Sequence, residues 1–135
     1  MKKTLLLSIG IFLVSFDGCK DVNPGLALGD SPSNIVFPAS NISYGRQVQP
    51  LFDQTCALAG CHDDGVHQSN LRLTSYANLI FQLPGIVVAG KPDASTLVLS
   101  IQGGSIDRMP PTTNRLNDNQ INGIRAWIVE GAKNN

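Results

Sequence analysis

Residues 56–62, read as Cys-Ala-Leu-Ala-Gly-Cys-His, bring two thiols and an imidazole close together in the chain. The whole sequence has only three cysteines and two histidines. This one segment therefore holds three of the five cysteine and histidine side chains, which can bind a metal, and the thiols can also form a covalent bond through sulfur. Whatever Cys56, Cys61 and His62 bind must lie against the same short stretch of backbone, and the rest of the domain must fold around it.

The first eighteen residues have the pattern of a secretory signal peptide. Lys2 and Lys3 are followed by a mostly apolar run over residues 5–16. That run is too short to span a bilayer, which takes about 20 apolar residues, but it has the length of a signal-peptide core. The sequence therefore predicts export, with residues 1–18 as the signal peptide.

The end of this segment, Phe16-Asp17-Gly18-Cys19, resembles the lipobox of bacterial lipoproteins, although Phe16 and Asp17 depart from the usual residues. The resemblance implies that Cys19 is lipidated and anchors the protein on the periplasmic or outer face of a bacterial membrane. Acylation would also remove a thiol that is prone to oxidise or cross-link outside the cytosol. An ordinary secretory signal with an incidental cysteine is the alternative.

Residues 19–43 are rich in Pro, Gly, Ser and Asn and have no helical or strand period, which predicts a flexible linker. Residues 35–37 are its only apolar cluster and could pack on the domain surface. The folded domain is expected over residues 44–135. Without the charges of the signal peptide, the chain has 8 basic and 9 acidic residues. This balance gives no electrostatic basis for binding nucleic acid.

The domain is expected to be all-α, small and rich in loops. Residues 44–52 have helical apolar spacing with Ser43 as a cap, and Pro50 should kink or restart that helix. Residues 75–83 predict a second helix. A third is expected to begin at Pro92-Asp93, with Asp93 as its cap, and to end before Gly103.

The last helix has the clearest signals. Asn117 and Gln120 form a capping-box pair, and Gly131 is a stop signal. Between them, apolar residues recur at helical spacing over residues 121–128. Trp127 lies on this apolar face, so we expect it to belong to the core.

Two cysteines followed at once by a histidine form the arrangement that attaches haem covalently. The thiols add to the two vinyl groups at one edge of the porphyrin, and the histidine is carried beneath the ring to bind iron. The usual spacing between the cysteines is two residues, and here it is four. Three of those four, Ala57, Ala59 and Gly60, are small, so a bulged loop could keep the two sulfurs at vinyl spacing.

From Tyr44 onward the chain resembles a bacterial monohaem c-type cytochrome domain. Five segments carry the resemblance in order: Val48-Gln49-Pro50-Leu51-Phe52, Cys56 with Cys61-His62, Gly90-Lys91-Pro92, Met109-Pro110-Pro111, and Trp127 to Ala132. The resemblance implies a helical cytochrome-c-like fold around one covalent haem c. It implies thioether bonds to Cys56 and Cys61 and axial ligation by His62 and Met109.

Elimination also favours Met109 as the second axial ligand. Iron in c-type electron carriers normally has two protein ligands, a histidine with a methionine or with a second histidine. Met1 lies in the signal peptide, and His67 follows His62 too closely to reach the opposite face of the ring. A gap-filling core methionine is the alternative role for Met109. Arg72 and Arg108 are candidates for hydrogen bonds to a haem propionate.

With both axial positions filled, the iron has no open site for a substrate, so we expect electron transfer and no enzymatic activity. The expected partners are redox donor and acceptor proteins that dock transiently, and the membrane through the lipid anchor. Three alternatives remain. They are a zinc site formed by Cys56, Cys61, His62 and His67, a haem-free structural lipoprotein with a Cys56–Cys61 disulfide, and a five-coordinate haem with peroxidase or gas-binding activity.

Overall fold

A computed structural model describes residues 33–104, 106–111 and 115–135. The predicted signal peptide, Cys19 and the linker up to residue 32 lie outside the described residues. The described part contains helices, turns and loops but no strand, which confirms the expected all-α domain. No helix in these ranges is long and apolar enough to cross a membrane.

Within the described ranges four α-helices follow one another: α1 (Gln49–Thr55), α2 (Tyr76–Phe81), α3 (Thr96–Gln102) and α4 (Asp118–Val129). A π-helical turn, Tyr44–Val48, leads directly into α1. Short 3₁₀ turns lie at Gln68–Asn70 and Pro92–Ala94.

The start of the first helix agrees with the sequence signals. The Ser43 hydroxyl accepts a hydrogen bond from the Arg46 backbone N–H, as expected of an N-cap. Pro50 lies in the first turn of α1. The preceding turn is π-helical and the Gln49 N–H donates to the Tyr44 carbonyl, so the N–H that Pro50 lacks falls where the hydrogen-bond spacing changes between the two helical segments. Pro50 therefore marks the change from π-helix to α-helix, and the helical segment continues through it.

The cap predicted for the third helix is wrong. Residues 92–94 form a 3₁₀ turn, and α3 begins after Ser95. The Asp93 carboxylate instead forms a salt bridge of 2.7 Å with Arg125 on α4. Ser95 is fully buried, and its hydroxyl bonds to the backbone of Val88 and Lys91. The helix ends at Gly103, whose φ of 75° is the left-handed conformation that glycine adopts without strain.

Helix α4 forms the centre of the packed core. Its capping box is present as predicted, since Asn117 and Gln120 each accept the other's backbone N–H. Trp127 is fully buried, and its indole N–H donates to the Lys133 carbonyl at 2.9 Å. The ring of Tyr44 lies 5.7 Å from that of Trp127, so α4 holds the start of the first helical segment.

Residues 33–43, here called the N-terminal strap, lie along α4. The Gln120 amide donates to the carbonyls of Ser33 and Ile35, and Asn119 exchanges hydrogen bonds with the backbone of Phe37. Further along, the Glu130 carboxylate accepts two N–H groups from residues 41–42. The composition of these residues predicts a flexible linker, whereas the structure packs them on α4 from Ser33 onward, before the expected start of the domain at Tyr44.

Phe37 secures the strap by packing on a glycine of α4. It is 3% exposed, and a Cβ atom added to Gly123 would lie 2.1 Å from its Cγ. No Cβ atom fits at that distance, so the aromatic ring occupies the space that any side chain at position 123 would need.

We therefore expect Gly123→Ala to destabilise the protein, because the added methyl group must displace Phe37. Overpacking of this kind costs about 1–3 kcal/mol, and it opposes the gain of about 1 kcal/mol that alanine brings to a helix interior. Thermal denaturation of the purified protein measures the change. The Phe37→Ala/Gly123→Ala double variant is the control. Its loss of stability should be smaller than the sum of the losses in the two single variants. A Gly123→Ala protein as stable as the wild type would contradict this packing.

Candidate functional site

Cys56 lies where α1 ends. The chain leaves the helix after Thr55, and the preceding turn is anchored in the core by the fully buried Leu51 and Phe52. Cys56 is itself buried, whereas Cys61 is exposed, and both are free thiols. Burial raises the pKa of the Cys56 thiol to about 11, because the charged thiolate is poorly solvated there.

The four residues between the cysteines form a compact turn. The Cys61 N–H donates to the Leu58 carbonyl at 2.9 Å, and Gly60 has a φ of 82°, as the third residue of a type II turn requires. The His62 N–H then donates to the Cys56 carbonyl at 3.1 Å. The two residues beyond the usual spacing are therefore absorbed in the turn, and His62 is brought back beside the end of α1.

The His62 ring is oriented by a backbone carbonyl. Its Nδ1 lies 3.1 Å from the carbonyl oxygen of Leu71. A carbonyl oxygen can only accept, so Nδ1 carries the proton and Nε2 of the neutral ring keeps its lone pair. In metal-binding histidines, a hydrogen bond at one ring nitrogen usually fixes the other nitrogen as the metal ligand.

Two adjoining cavities of about 290 Å³ and 190 Å³ share Cys56, His62 and Met109 in their walls. Cys61 lines the larger one together with the proline pair that follows Met109. The smaller one has a mainly apolar wall, which includes Leu71, Leu73, Leu83, Ile86, Leu97 and Ile101. The structure thus brings all four predicted site residues to one space, while His67 is not among the residues that line it.

The segment that carries Met109 is tied to α3. The Met109 N–H donates to the Ser100 carbonyl at 2.9 Å, and Ser100 itself lines the smaller cavity. The preceding Arg108 folds over Gly103, where an added Cβ would lie 2.9 Å from its Cδ. Its buried Nε has no hydrogen-bond partner within the part of the chain that the structure describes. Arg108, a candidate for a propionate contact, is not among the residues that line either cavity.

Two alternatives from the sequence are not supported by this geometry. Across the described ranges, no group of three or more His, Cys, Asp or Glu side chains could hold a metal ion. The four candidate zinc ligands are therefore not gathered into one site. Cys56 and Cys61 are not joined by a disulfide, and only one of them is buried.

Residues 59–113 match the family model described as Planctomycete cytochrome C. The match supports a cytochrome-c-like domain and, at a coarse level, haem-based electron transfer with covalent haem c. The matched segment includes Cys61, His62 and Met109, but Cys56 and α4 lie outside it. No curated protein and no solved structure matches the chain.

The residues around the two cavities fit a haem. An imidazole with a free Nε2, a thioether and two thiols are the donor set that haem c requires, and they surround apolar space.

Some features of the site could not be identified from sequence. The Leu71 and Ser100 carbonyls orient the two candidate ligands, and a backbone role leaves no signal in residue identity. Thr55 was also missed. Its Oγ1 lies 3.2 Å from Cys56 Sγ, and the one available signal was a hydroxyl residue adjacent in sequence to the cysteine.

Proposed function

We propose that this protein is a one-electron carrier that holds a single haem c. Cys56 and Cys61 would hold it through thioether bonds, and His62 and Met109 would be the ligands of its iron. The observation that carries the proposal is the convergence of Cys56, His62 and Met109 on the same two cavities, with the His62 ring held in the tautomer that leaves Nε2 free.

Each residue has a distinct task in this function. When bound, the haem supplies a one-electron couple between Fe(III) and Fe(II). His62 and Met109 would together supply both protein ligands to the iron, which would leave no open site for oxygen, peroxide or substrate and would favour a carrier over an enzyme. The soft sulfur of Met109 favours Fe(II) and raises the reduction potential. The apolar wall of the smaller cavity excludes water from the ring.

The carrier is proposed to act at a membrane surface. Cleavage before Cys19 and lipidation of that residue would anchor the chain outside the cytoplasm, on the periplasmic or outer face of a bacterial membrane. The strap fixes the chain to the domain from Ser33 onward, so the tether predicted from the sequence would be confined to the residues between Cys19 and Ser33. A chain of that length spans at most roughly 50 Å at about 3.5 Å per residue. Redox donors and acceptors within this range would dock transiently.

The test is to purify the mature protein from cells that carry haem-attachment machinery. We expect a red protein with sharp bands in the reduced visible spectrum. Its intact mass should include one macrocycle that survives denaturation, and acyl chains at Cys19. The apolar cavities and both thiols account for tight retention of the cofactor. A colourless product, or a mass without the macrocycle, would refute the proposed function.

A further inference from the structure

The side chain of Gln82, at the end of α2, is bonded to the backbone on both sides of Leu71. Its Oε1 accepts the Arg72 N–H at 2.9 Å, and its Nε2 donates to the Asn70 carbonyl at 2.6 Å. One amide thus pairs with this segment in the way that a neighbouring strand would. The residue between the two bonds, Leu71, is the one whose carbonyl orients the ring of His62.

The segment that Gln82 holds begins with an unfavourable backbone turn. Ser69 and Asn70 have φ angles of 56° and 57°, in the left-handed region that residues with a side chain adopt rarely. Both residues are exposed, so burial does not keep them there. Such conformations persist when surrounding contacts fix them, and the bond from Gln82 to the Asn70 carbonyl is one of those contacts.

The bond to Arg72 acts on the Leu71 carbonyl directly. The C=O of one residue and the N–H of the next belong to a single planar peptide group, and in the trans form they point to opposite sides. The Arg72 N–H is held by Gln82 on one side of this plane. The Leu71 oxygen is thereby aimed at His62 Nδ1 on the other side, where it lies at 3.1 Å.

The strength of this last hydrogen bond matters to an iron bound at Nε2. A carbonyl that accepts the Nδ1 proton makes the imidazole a more basic ligand. A more basic ligand donates more electron density, which favours Fe(III) and lowers the reduction potential. Gln82 is not among the residues that line either cavity, so its effect on the haem must pass through Leu71 and His62.

We propose that Gln82 is a positioning residue for the axial histidine, an inference that rests on the proposed haem c function. It holds the Leu71 carbonyl against the His62 Nδ1 proton and so keeps the reduction potential lower than His62 and Met109 alone would set it. The residue acts in the haem-loaded protein, and the inference requires no order in the chain before the haem is attached.

The experiment uses the full chain, matured with haem-attachment machinery, and compares the wild type with Gln82→Leu. Leucine is close to glutamine in size but makes neither hydrogen bond. We expect the reduction potential to rise, so that at the wild-type midpoint the variant has a several-fold higher ratio of Fe(II) to Fe(III) in a redox titration. In NMR of the reduced protein, the His62 Nδ1 proton should exchange with solvent several-fold faster than in the wild type.

The direction of the shift separates positioning from a merely structural role. A loosened pocket would admit water, which stabilises the more highly charged ferric haem and lowers the potential. Gln47→Leu is the matched control, because it removes another bond between a glutamine amide and the backbone, from the Ser43 N–H to Gln47 Oε1 at 3.0 Å. It should keep the wild-type potential and exchange rate. If Gln82→Leu does not accumulate, Gln82→Ala tests the same loss.

The inference is overturned if the Gln82 variant keeps either the wild-type potential or the wild-type exchange rate, if its potential falls, or if Gln47→Leu produces the same rise. These results leave the proposed function intact, since each is measured on protein that carries covalent haem. A wild-type protein without covalent haem would instead remove the proposed function, and the inference with it.

Discussion

The Met109→Ala protein is expected to keep its covalent haem and to bind carbon monoxide once reduced. The thioether bonds and His62 do not depend on position 109, so the macrocycle stays attached while the sixth coordination site opens. Loss of the sulfur also removes a ligand that favours Fe(II). We expect the reduction potential to fall by on the order of 0.1 V, a fraction of the roughly 0.8 V over which axial ligands set haem potentials. Visible spectroscopy under carbon monoxide and redox titration measure both effects.

His67→Ala is the matched control for this experiment. His67 pairs with His62 through an isolated backbone bridge and is not among the residues that line either cavity. Its replacement should leave the carbon monoxide response and the potential unchanged. If Met109→Ala has the wild-type spectrum, Met109 is not the sixth ligand. If the wild-type protein already binds carbon monoxide, the five-coordinate alternative replaces the electron carrier.

Sequence reasoning succeeded where the signal is local. The capping box of Asn117 and Gln120 lies within four consecutive residues, and the structure contains both of its hydrogen bonds. The Ser43 cap and the restart at Pro50 are local in the same sense. Propensity and short-range hydrogen bonding decide such features, and both can be read from neighbouring residues.

The errors arose where tertiary contacts decide the outcome. The strap has the composition of a linker, yet Phe37 is buried because Gly123, far along the chain, leaves room for its ring. Asp93 has the residue type and position of a cap but pairs with Arg125 on another helix. Neither partner could be identified without knowing which elements pack together.

For the candidate site, the sequence names side chains but not the groups that support them. Cys56, Cys61, His62 and Met109 are named by residue type and spacing, and the structure gathers them around one space. Two backbone carbonyls orient His62 and Met109. Backbone groups are present at every position, so only the fold can show which of them are used.

Haem-free protein is expected to lose most of its helical structure. The smaller cavity is lined by six leucine and isoleucine side chains and is partly open to solvent. Without the haem these side chains face water, and the burial of apolar surface, at roughly 25 cal/mol per Å², is lost. Native proteins have only about 5–15 kcal/mol of stability in total. The loss therefore removes much of the margin, even with α4 and the strap packed as described.

The measurement is far-UV circular dichroism on the wild-type chain produced with and without haem-attachment machinery. The two samples have the same sequence, so any loss of helix reports the missing macrocycle and not a substitution. Hydrogen exchange should show that the residual protection lies in α4. Neither the burial of Trp127 nor the capping box of this helix depends on the residues that line the cavities. Equal helix content in both samples would mean that the core is complete without the haem, and that the two cavities are not spaces left for it to fill.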